Sequence, residues 1–577
     1  MKRCPACKRV ENDDTLTFCR ADGTALVSDS GSASAEIGTM KFGPARVASE
    51  VETSVLTQHA TNAGASRSTG PTTVLDRQQT ISKTLELSRR PRSKAVVFTV
   101  AAVFIAALAI SAYFYLSRKN KTVVDSVAVL PFRNTSGDQN LDYLSDGVTE
   151  SIINSLSRLA PLKVMARSTM FRFKGRESDP QAVGKELGVS AVMTGRMLQQ
   201  GENLTVSVEL VNVADGTQLW GEQYNRKTAD LVSLQSEIAR DVSNKLRLKL
   251  SGADEQKLTK NYPANPEAYQ EYLKGRYHWS KRTREDFKKA TEYFQSAIDK
   301  DPNYALAYSG LADSYSLTSV YGWAAPRDLM PRAKEAAQKS LSLDDSLAEA
   351  HASLGYILSD YDFDFAGAER EYKRAIELNP NYSTARLWYA ELFSENGRHE
   401  EALVEFRQAL EIDPFSMILN RMYGVSLYYA RRYDEAIVQL RKTTELDPNF
   451  PSAHISLSDA YVIEGKTREA AEEFARFQEL NGHADDARMI RQAFAKDGWP
   501  GVLRYRIGPD HAGKSKPEEV IRCLVALGDK ERALAMLTKG LEERDNSLVA
   551  IKVEPQLDPL RSDPRFAELV RRVGLPQ

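Results

Sequence analysis

Three Asx-Pro turns set the frame for this chain. Asn379-Pro380-Asn381, Asp413-Pro414-Phe415 and Asp447-Pro448-Asn449 recur at a period of about thirty-four residues, each behind amphipathic helical sequence. Between the prolines lie two apolar stripes at helical spacing. Tyr389, Ala390 and Phe393 are followed by Ala402, Phe406 and Ala409 in one unit, and Tyr423, Gly424 and Leu427 by Ala436 and Leu440 in the next. Small residues at Ala390 and Gly424 let paired helices approach, and proline, which has no amide hydrogen, ends the second helix. One such unit leaves an apolar face uncovered, so several must stack, and stacked helix pairs wind into a superhelix with a concave binding surface. The first expectation is therefore a partner rather than a reaction.

This period and pattern are those of tetratricopeptide repeats, here predicted over residues 264–577. Upstream, Asp301-Pro302-Asn303 closes a unit carrying Tyr277, His278, Ala290, Phe294 and Ala297. The next unit is stretched by about nine residues around Tyr321 to Pro326, and the one after has about one extra residue near Tyr361. A sixth unit holds Leu457, Tyr461, Ala470 and Phe474, and a degenerate pair around Leu524, Ala533 and Leu537 is expected to cap the array. In this register Leu387, Arg421, Val425, Tyr428, Tyr429, Ile455 and Ile463 fall on the concave side, an apolar and aromatic groove with one cation for a protein or peptide ligand. The alternative for Tyr428 and Tyr429 is packing between neighbouring repeats.

Composition narrows the rest. A formal net charge of −1 over 577 residues argues against a dedicated nucleic-acid binder, and four cysteines, three of them in the first twenty positions, argue against a disulfide-stapled secreted fold. From Ala95 to Ser117 no charged residue occurs, and the run is long enough to cross a bilayer core of about 30 Å, so residues 95–117 are expected to be a single transmembrane helix. Arg89, Arg90, Arg92 and Lys94 before it slightly outweigh Arg118, Lys119 and Lys121 after it, which favours a cytoplasmic N-terminus with the C-terminal domains on the outer side.

Cys4-Pro5-Ala6-Cys7 and Cys19 to Asp22 read as two turns of a zinc-ribbon-like knuckle over residues 1–25. Cys4, Cys7, Cys19 and Asp22 are the candidate zinc ligands; aspartate is a harder ligand than the cysteine a ribbon would place there, and a relic knuckle without metal is the alternative. Residues 26–94 are rich in Ser, Thr, Ala and Gly and read as a disordered linker.

After the apolar segment, Val127 to Phe132 is a short apolar run expected of a buried strand, and Leu141, Leu144, Val148, Ile152, Leu156 and Leu159 mark a helix. A second strand at Leu162 to Ala166, a helix at Ala182 to Leu187, a hairpin through Gly201, a strand from Leu219 to Tyr224 and a helix at Leu231 to Leu246 complete an α/β domain, residues 123–250. The predicted fold is multidomain: knuckle, transmembrane helix, α/β domain, then an all-α superhelix.

Val127-Ala128-Val129-Leu130-Pro131-Phe132, Tyr143-Leu144-Ser145-Asp146-Gly147-Val148-Thr149-Glu150 and Leu219-Trp220-Gly221-Glu222-Gln223-Tyr224 resemble the TolB amino-terminal-like (FlgO-like) domain of bacterial membrane proteins. In that family repeats follow that begin much like Tyr272 to Tyr277 and close much like Asp558 to Phe566, so the resemblance covers roughly residues 123–577. It implies an accessory or sensory protein of the bacterial inner membrane. Related chains carry a kinase, an adenylate cyclase or a winged-helix domain before the membrane helix; this chain has only the knuckle and linker there, and those activities do not carry over.

No catalytic constellation assembles in the sequence. Gly508 to Ser515 has the outline of a phosphate-binding loop, but Arg504 and Arg506 make a poor buried strand before it, and no metal-binding aspartate follows. His278, His351 and His454 fall at repeat-helix positions and read as packing or rim residues. The leading expectation is a noncatalytic membrane-anchored scaffold or sensor, and the alternative is a signalling regulator whose knuckle contacts nucleic acid or a cytoplasmic partner.

Overall fold

The computed structural model describes residues 2–3, 10–11, 27–28, 124–159, 162–246, 265–508 and 516–575. The chain divides into two units, Met1–Val97 and Phe98–Gln577. In the first, β1 (Lys2–Arg3), β2 (Val10–Glu11) and β3 (Val27–Ser28) form an antiparallel sheet in the order β2-β1-β3. β3 lies beyond the boundary drawn at residue 25, inside the stretch expected as linker. The candidate zinc ligands Cys4, Cys7, Cys19 and Asp22 and the apolar segment 95–117 lie outside the described residues. Among the described residues no helix is long and apolar enough to cross a membrane, and no cluster of His, Cys, Asp and Glu is arranged to hold a metal.

The second unit opens with the α/β domain. Its elements are β4 (Ser126–Val129), β5 (Arg133–Asn134), α1 (Asp142–Ser157), β6 (Lys163–Val164), α2 (Arg167–Phe171), α3 (Pro180–Leu187), β7 (Ala191–Gln200), β8 (Asn203–Asn212), β9 (Gln218–Lys227) and α4 (Leu231–Lys245). The sheet order is β6-β4-β7-β8-β9, with β5 also on β7. β4 is parallel to β6 and β7, and every residue of β4 is buried, as the continuous apolar run requires. β7 and β8 pair from Ala191↔Asn212 to Gln200↔Asn203 around Gly201, whose φ of 61° suits the tight turn. The short helix α2 has no apolar period and was not expected from the sequence.

Helix α1 departs from a simple amphipathic pattern, because Asp146, Thr149 and Glu150 are buried along with its apolar face. One face lies on the sheet and the opposite one meets the first repeat helix. Gly147 sits at that crossing, where a Cβ would fall 2.7 Å from Leu273. Asp146 accepts from Lys174 at 2.7 Å, so it serves as an ion-pair partner beyond the dipole role its position near the helix start suggests.

The array begins with α5 (Pro266–Trp279) and α6 (Arg284–Lys300), followed by α7 (Ala305–Val320) and α8 (Pro326–Leu343), α9 (Ala348–Ile357) and α10 (Phe365–Leu378), α11 (Ser383–Glu395) and α12 (His399–Ile412). Two further pairs follow, α13 (Met417–Tyr429) with α14 (Tyr433–Leu446) and α15 (Pro451–Ile463) with α16 (Thr467–Leu480). The stretched unit is accommodated by an aromatic loop in which Tyr321 and Trp323 stack at 4.7 Å. The extra residue near Tyr361 becomes a π-helical turn, Leu358–Asp362, ended by Phe363 at φ 60°. At the start of each later repeat a side chain reaches back six positions to a turn carbonyl: Arg386 to Pro380, Asn420 to Pro414 and His454 to Pro448. His351 and His454 also bond Glu371 and Glu473 on the paired helix, both at 2.6 Å.

After α17 (Ala484–Ile507), which is kinked at Asp497 and Gly498, come α18 (Pro517–Ala526), α19 (Lys530–Glu543) and α20 (Pro564–Val573). Val502 to Ile507 is helical, so no strand precedes the phosphate-loop-like stretch, whose residues 509–515 lie outside the described ones. The C-terminal module does more than cap the end of the stack. It runs back along the array: Arg522 bonds Asp459, Asp558 bonds Arg431, Glu554 bonds Tyr428, and Arg544 bonds the Tyr361 carbonyl. Charged and polar groups near the inter-helix turns of the repeats supply the partners that fix this path.

Candidate functional site at the inner face of the repeats

The turns that announce the repeats also carry the α/β domain. Asn381 donates its side-chain amide to the carbonyls of Ser157 at 3.0 Å and Leu162 at 2.8 Å. Thr169 donates to Asp413 at 2.7 Å, Ser168 bonds the same carboxyl, and the Ala166 amide reaches the Ile412 carbonyl at 3.0 Å. In the third repeat Asn379 accepts the Asn381 amide within its own turn, whereas in the fourth Asp413 spends its carboxyl on Ser168 and Thr169 and the Phe415 amide donates to Thr169 Oγ1 instead.

Deeper in the joint, Glu150 of α1 receives Arg276 of α5 at 2.6 Å and Arg167 of α2 at 2.7 Å. Burial alone would push the Glu150 carboxyl up, but Arg276 and then Arg167 hold it below its ordinary value. Asp313, beside Arg276 at 3.9 Å, is pushed up to about 6 by burial.

Between this joint and the first helices of the repeats lies a chamber of about 830 Å³. Its walls come from α1, the β6–α2 segment and the concave faces of α5, α7, α9, α11 and α13. Six arginines and four carboxyls line it, together with Trp279, Tyr321, Tyr356 and Trp388. Arg276 and Arg282 lie over the Trp279 ring at 4.5 Å and 3.8 Å, and Tyr356 lies 4.9 Å from Trp388. A second cavity, about 700 Å³, sits beyond the carboxyl end of β4 and is lined by Arg133, Lys174, Arg176 and Arg196; of these, Lys174 and Arg196 face Asp146 at 2.7 Å and Glu209 at 3.9 Å.

Of the groove residues read from sequence, the structure brings Leu387 and Arg421 into the chamber. Val425 is half-buried on α13. Tyr428 is buried and donates to Glu554 at 2.6 Å, while Tyr429 and Ile463 pack on the cluster around Leu457 and Tyr461. Ile455 packs instead with Phe474 and Ile490. Apart from Val425, the positions therefore divide among a chamber, a seat for the C-terminal module and inter-helix packing. Sequence reading missed Arg167, Arg172, Arg276, Trp279, Arg282 and Glu391; the run of cations around Trp279 at the end of the first repeat helix was the available signal.

Glu391 illustrates the electrostatics of this face. Burial first, then the Asp360 carboxyl, pushes it up to about 8, with Arg421 pulling the other way. Asp360 is itself raised to about 6 by burial, and Glu395 is raised by burial and these two neighbours. A carboxyl raised by folding binds its proton more tightly in the folded state, so its contribution to stability is lost as pH rises from the ordinary carboxylate range through the folded value. The full chain is expected to lose stability between pH 5 and about 8, and Glu391→Gln is expected to reduce that loss by on the order of 2 kcal/mol. Denaturant melts across this pH range check it; identical slopes for both proteins would contradict the assignment.

Residues 362–418 and 422–491 match two descriptions of the tetratricopeptide repeat. The C-terminal region is a tetratricopeptide-repeat array. Residues 123–241 match the second domain of HilA/YgeH-like transcriptional regulators. The chain is 31% identical over 235 residues to putative adenylate cyclase 3 of Rhizobium meliloti (strain 1021), covering 41% of this chain and 40% of that protein. It is 23% identical over 279 residues to the transcriptional regulator HilA of Salmonella typhimurium, covering 48% and 49%. It thus spans about half or less of the length of these relatives. Among solved structures, Pseudomonas aeruginosa pilF superposes with a TM-score of 0.28 at 20% identity, covering 36% of this chain and 94% of that one.

Proposed function

We propose that this chain is a noncatalytic regulatory scaffold, anchored in the bacterial inner membrane by residues 95–117, with a cytoplasmic N-terminus and a ligand site on the concave face of its tetratricopeptide-repeat array. The observation that carries the reading is the chamber shared by the α/β domain and the repeats. A ligand seated there touches both parts, so its binding energy is available to bias how the two parts engage. The likeness of residues 123–241 to a regulator's second domain supports the regulatory role. In this reading the α/β domain is TolB amino-terminal-like, zinc is held by Cys4, Cys7, Cys19 and Asp22, and the ligand is a protein or peptide segment or a smaller molecule taken up from the outer side. Contact of the N-terminal knuckle with nucleic acid is the second reading, favoured by the regulator likeness and opposed by the few cations of that segment.

A photoreactive phenylalanine analogue at Thr384, a half-buried chamber residue, is expected to yield a discrete cross-linked adduct in cells. The same analogue at Val438, 69% exposed on α14, is the control. No adduct at Thr384, or the same adducts at both positions, contradicts a ligand site here. In the same cells, protease added to spheroplasts is expected to digest the region after Lys121 and spare an N-terminal tag; the reverse pattern overturns the topology.

A further inference from the structure

The chamber holds more positive charge than its own carboxyls neutralise. Glu150 is shared by Arg167 and Arg276. Asp413 is taken by Thr169 and Ser168, and Asp447 accepts from its own turn, the Asn449 amide, at 2.9 Å. Glu391, pushed up to about 8, keeps its proton at neutral pH. Apart from the solvent-exposed Arg176, that leaves Arg172, Arg282 and Arg421 without a carboxylate of their own.

Each of the three is held in place by contacts that do not neutralise it. Arg282 lies over the Trp279 ring at 3.8 Å and within 5.9 Å of Phe287, with no hydrogen-bond or ion-pair partner among the described residues. Burial pulls its guanidinium below the ordinary value, although Tyr321 opposes the shift, and Arg276 adds repulsion. Its φ is 59°, a conformation that costs a branched or long side chain energy unless the surroundings hold it. Three other non-glycine residues share that conformation; two of them, Arg431 and Arg544, spend their guanidinium on the C-terminal module or the π-helical turn. Arg172 lies 4.9 Å over Phe415 and reaches only the Leu446 carbonyl, at 3.4 Å, leaving Nη1 buried without an acceptor. Arg421 donates to Ser456 at 3.2 Å, and its Nε is likewise buried without an acceptor. Trp279 Nε1 is a further buried donor with none. Leaving such donors unmatched costs their full desolvation penalty, and more for charged groups than for neutral ones. Leu317, Val320, Leu387 and Trp388 give the wall an apolar patch beside polar groups such as Asn154, Asn381 and Thr384.

We propose that the chamber binds a small organic anion, its phosphate or carboxylate head taken by Arg282, Arg421 and the Trp279 indole N–H and its apolar body lying against Leu387 and Trp388. This rests on the ligand-site reading above and names its chemical class. A volume of about 830 Å³ is that of a small-molecule pocket rather than of an extended groove. Guanidinium groups pair with planar or tetrahedral oxyanions through two parallel hydrogen bonds, which is the geometry that unmatched arginine donors offer.

The test uses the full chain in detergent and three compounds of similar size: phenyl phosphate, phenylacetate and benzyl alcohol. Tryptophan fluorescence and melting temperature are followed in each titration. Saturable binding of phenyl phosphate or phenylacetate, at least tenfold tighter than of benzyl alcohol and weakened by salt, is expected; which of the two binds identifies the head group. Arg282→Asn, which suits the left-handed backbone, is expected to weaken that binding at least tenfold while the ligand-free melting temperature stays at the wild-type value. Binding of benzyl alcohol equal to that of the anions, no saturation by either anion in protein of native melting temperature, or unchanged affinity in Arg282→Asn would each overturn the proposal. A peptide adduct at Thr384 combined with no anion binding would overturn the ligand class and leave the scaffold reading standing.

Discussion

Phe294→Ala is expected to destabilise the array by about 3–5 kcal/mol, the largest effect of any single apolar truncation proposed for this chain. The ring is fully buried. Gly275 of α5 and Gly310 of α7 both lie against it, and a Cβ at either glycine would fall 2.6 Å from ring carbon Cε1. Tyr272 packs on it at 5.8 Å between centroids. One side chain from α6 therefore fills the space that two glycines open on two neighbouring helices, and neither helix has a side chain there to collapse into the void. Denaturant unfolding of the full chain, followed by hydrogen exchange of α5 to α7, measures the loss; a change below about 1 kcal/mol would mean that the void closes by repacking. Gly310→Leu is the converse test and is expected to overpack the same contact.

The second large effect concerns the ion cluster. Glu150→Ala removes the one carboxylate that Arg167 and Arg276 share, and breaking a buried pair from one side typically costs about 3–5 kcal/mol. Faster amide exchange in α1 and α5 is the expected signature, because the lost contacts join the α/β domain to the first repeat. Removing the charge on both sides, as in Glu150→Gln with Arg276→Met, is expected to recover part of the loss, since the cost is chiefly that of stranded charge. The pH dependence has the opposite sign to that of Glu391. Glu150 is held below its ordinary value, so its contribution is present above the ordinary carboxylate range and disappears as pH falls through the lower folded value. Equal acid sensitivity in wild type and Glu150→Gln would contradict this assignment.

The repeats were legible because their signal is local and periodic. The prolines at 380, 414 and 448, with the small residues Ala390 and Gly424, place helix ends and close crossings wherever they occur, and α10 to α16 follow them closely. The apolar run at Val127 and the alternation from Leu204 to Leu210 likewise produced β4 and β8, because a strand's burial is written in its own residues. Even the irregularities were local: an extra residue near Tyr361 has little recourse in a stacked helix except a π-helical turn.

The candidate site was legible only in part. Leu387 and Arg421 line the chamber, but Tyr428 has a partner in Glu554, separated from it by 126 residues. No local pattern records such a pairing. The same holds for Asn381 with Leu162, Thr169 with Asp413 and Arg276 with Glu150, where each residue alone reads as a turn, a cap or a solvated charge. Helix periodicity and turn chemistry act over a few residues, so they are written along the chain; the chamber, its unmatched arginines and the return path of the C-terminal module arise where distant surfaces meet, and only the folded packing of those surfaces sets which charges are paired and which are not.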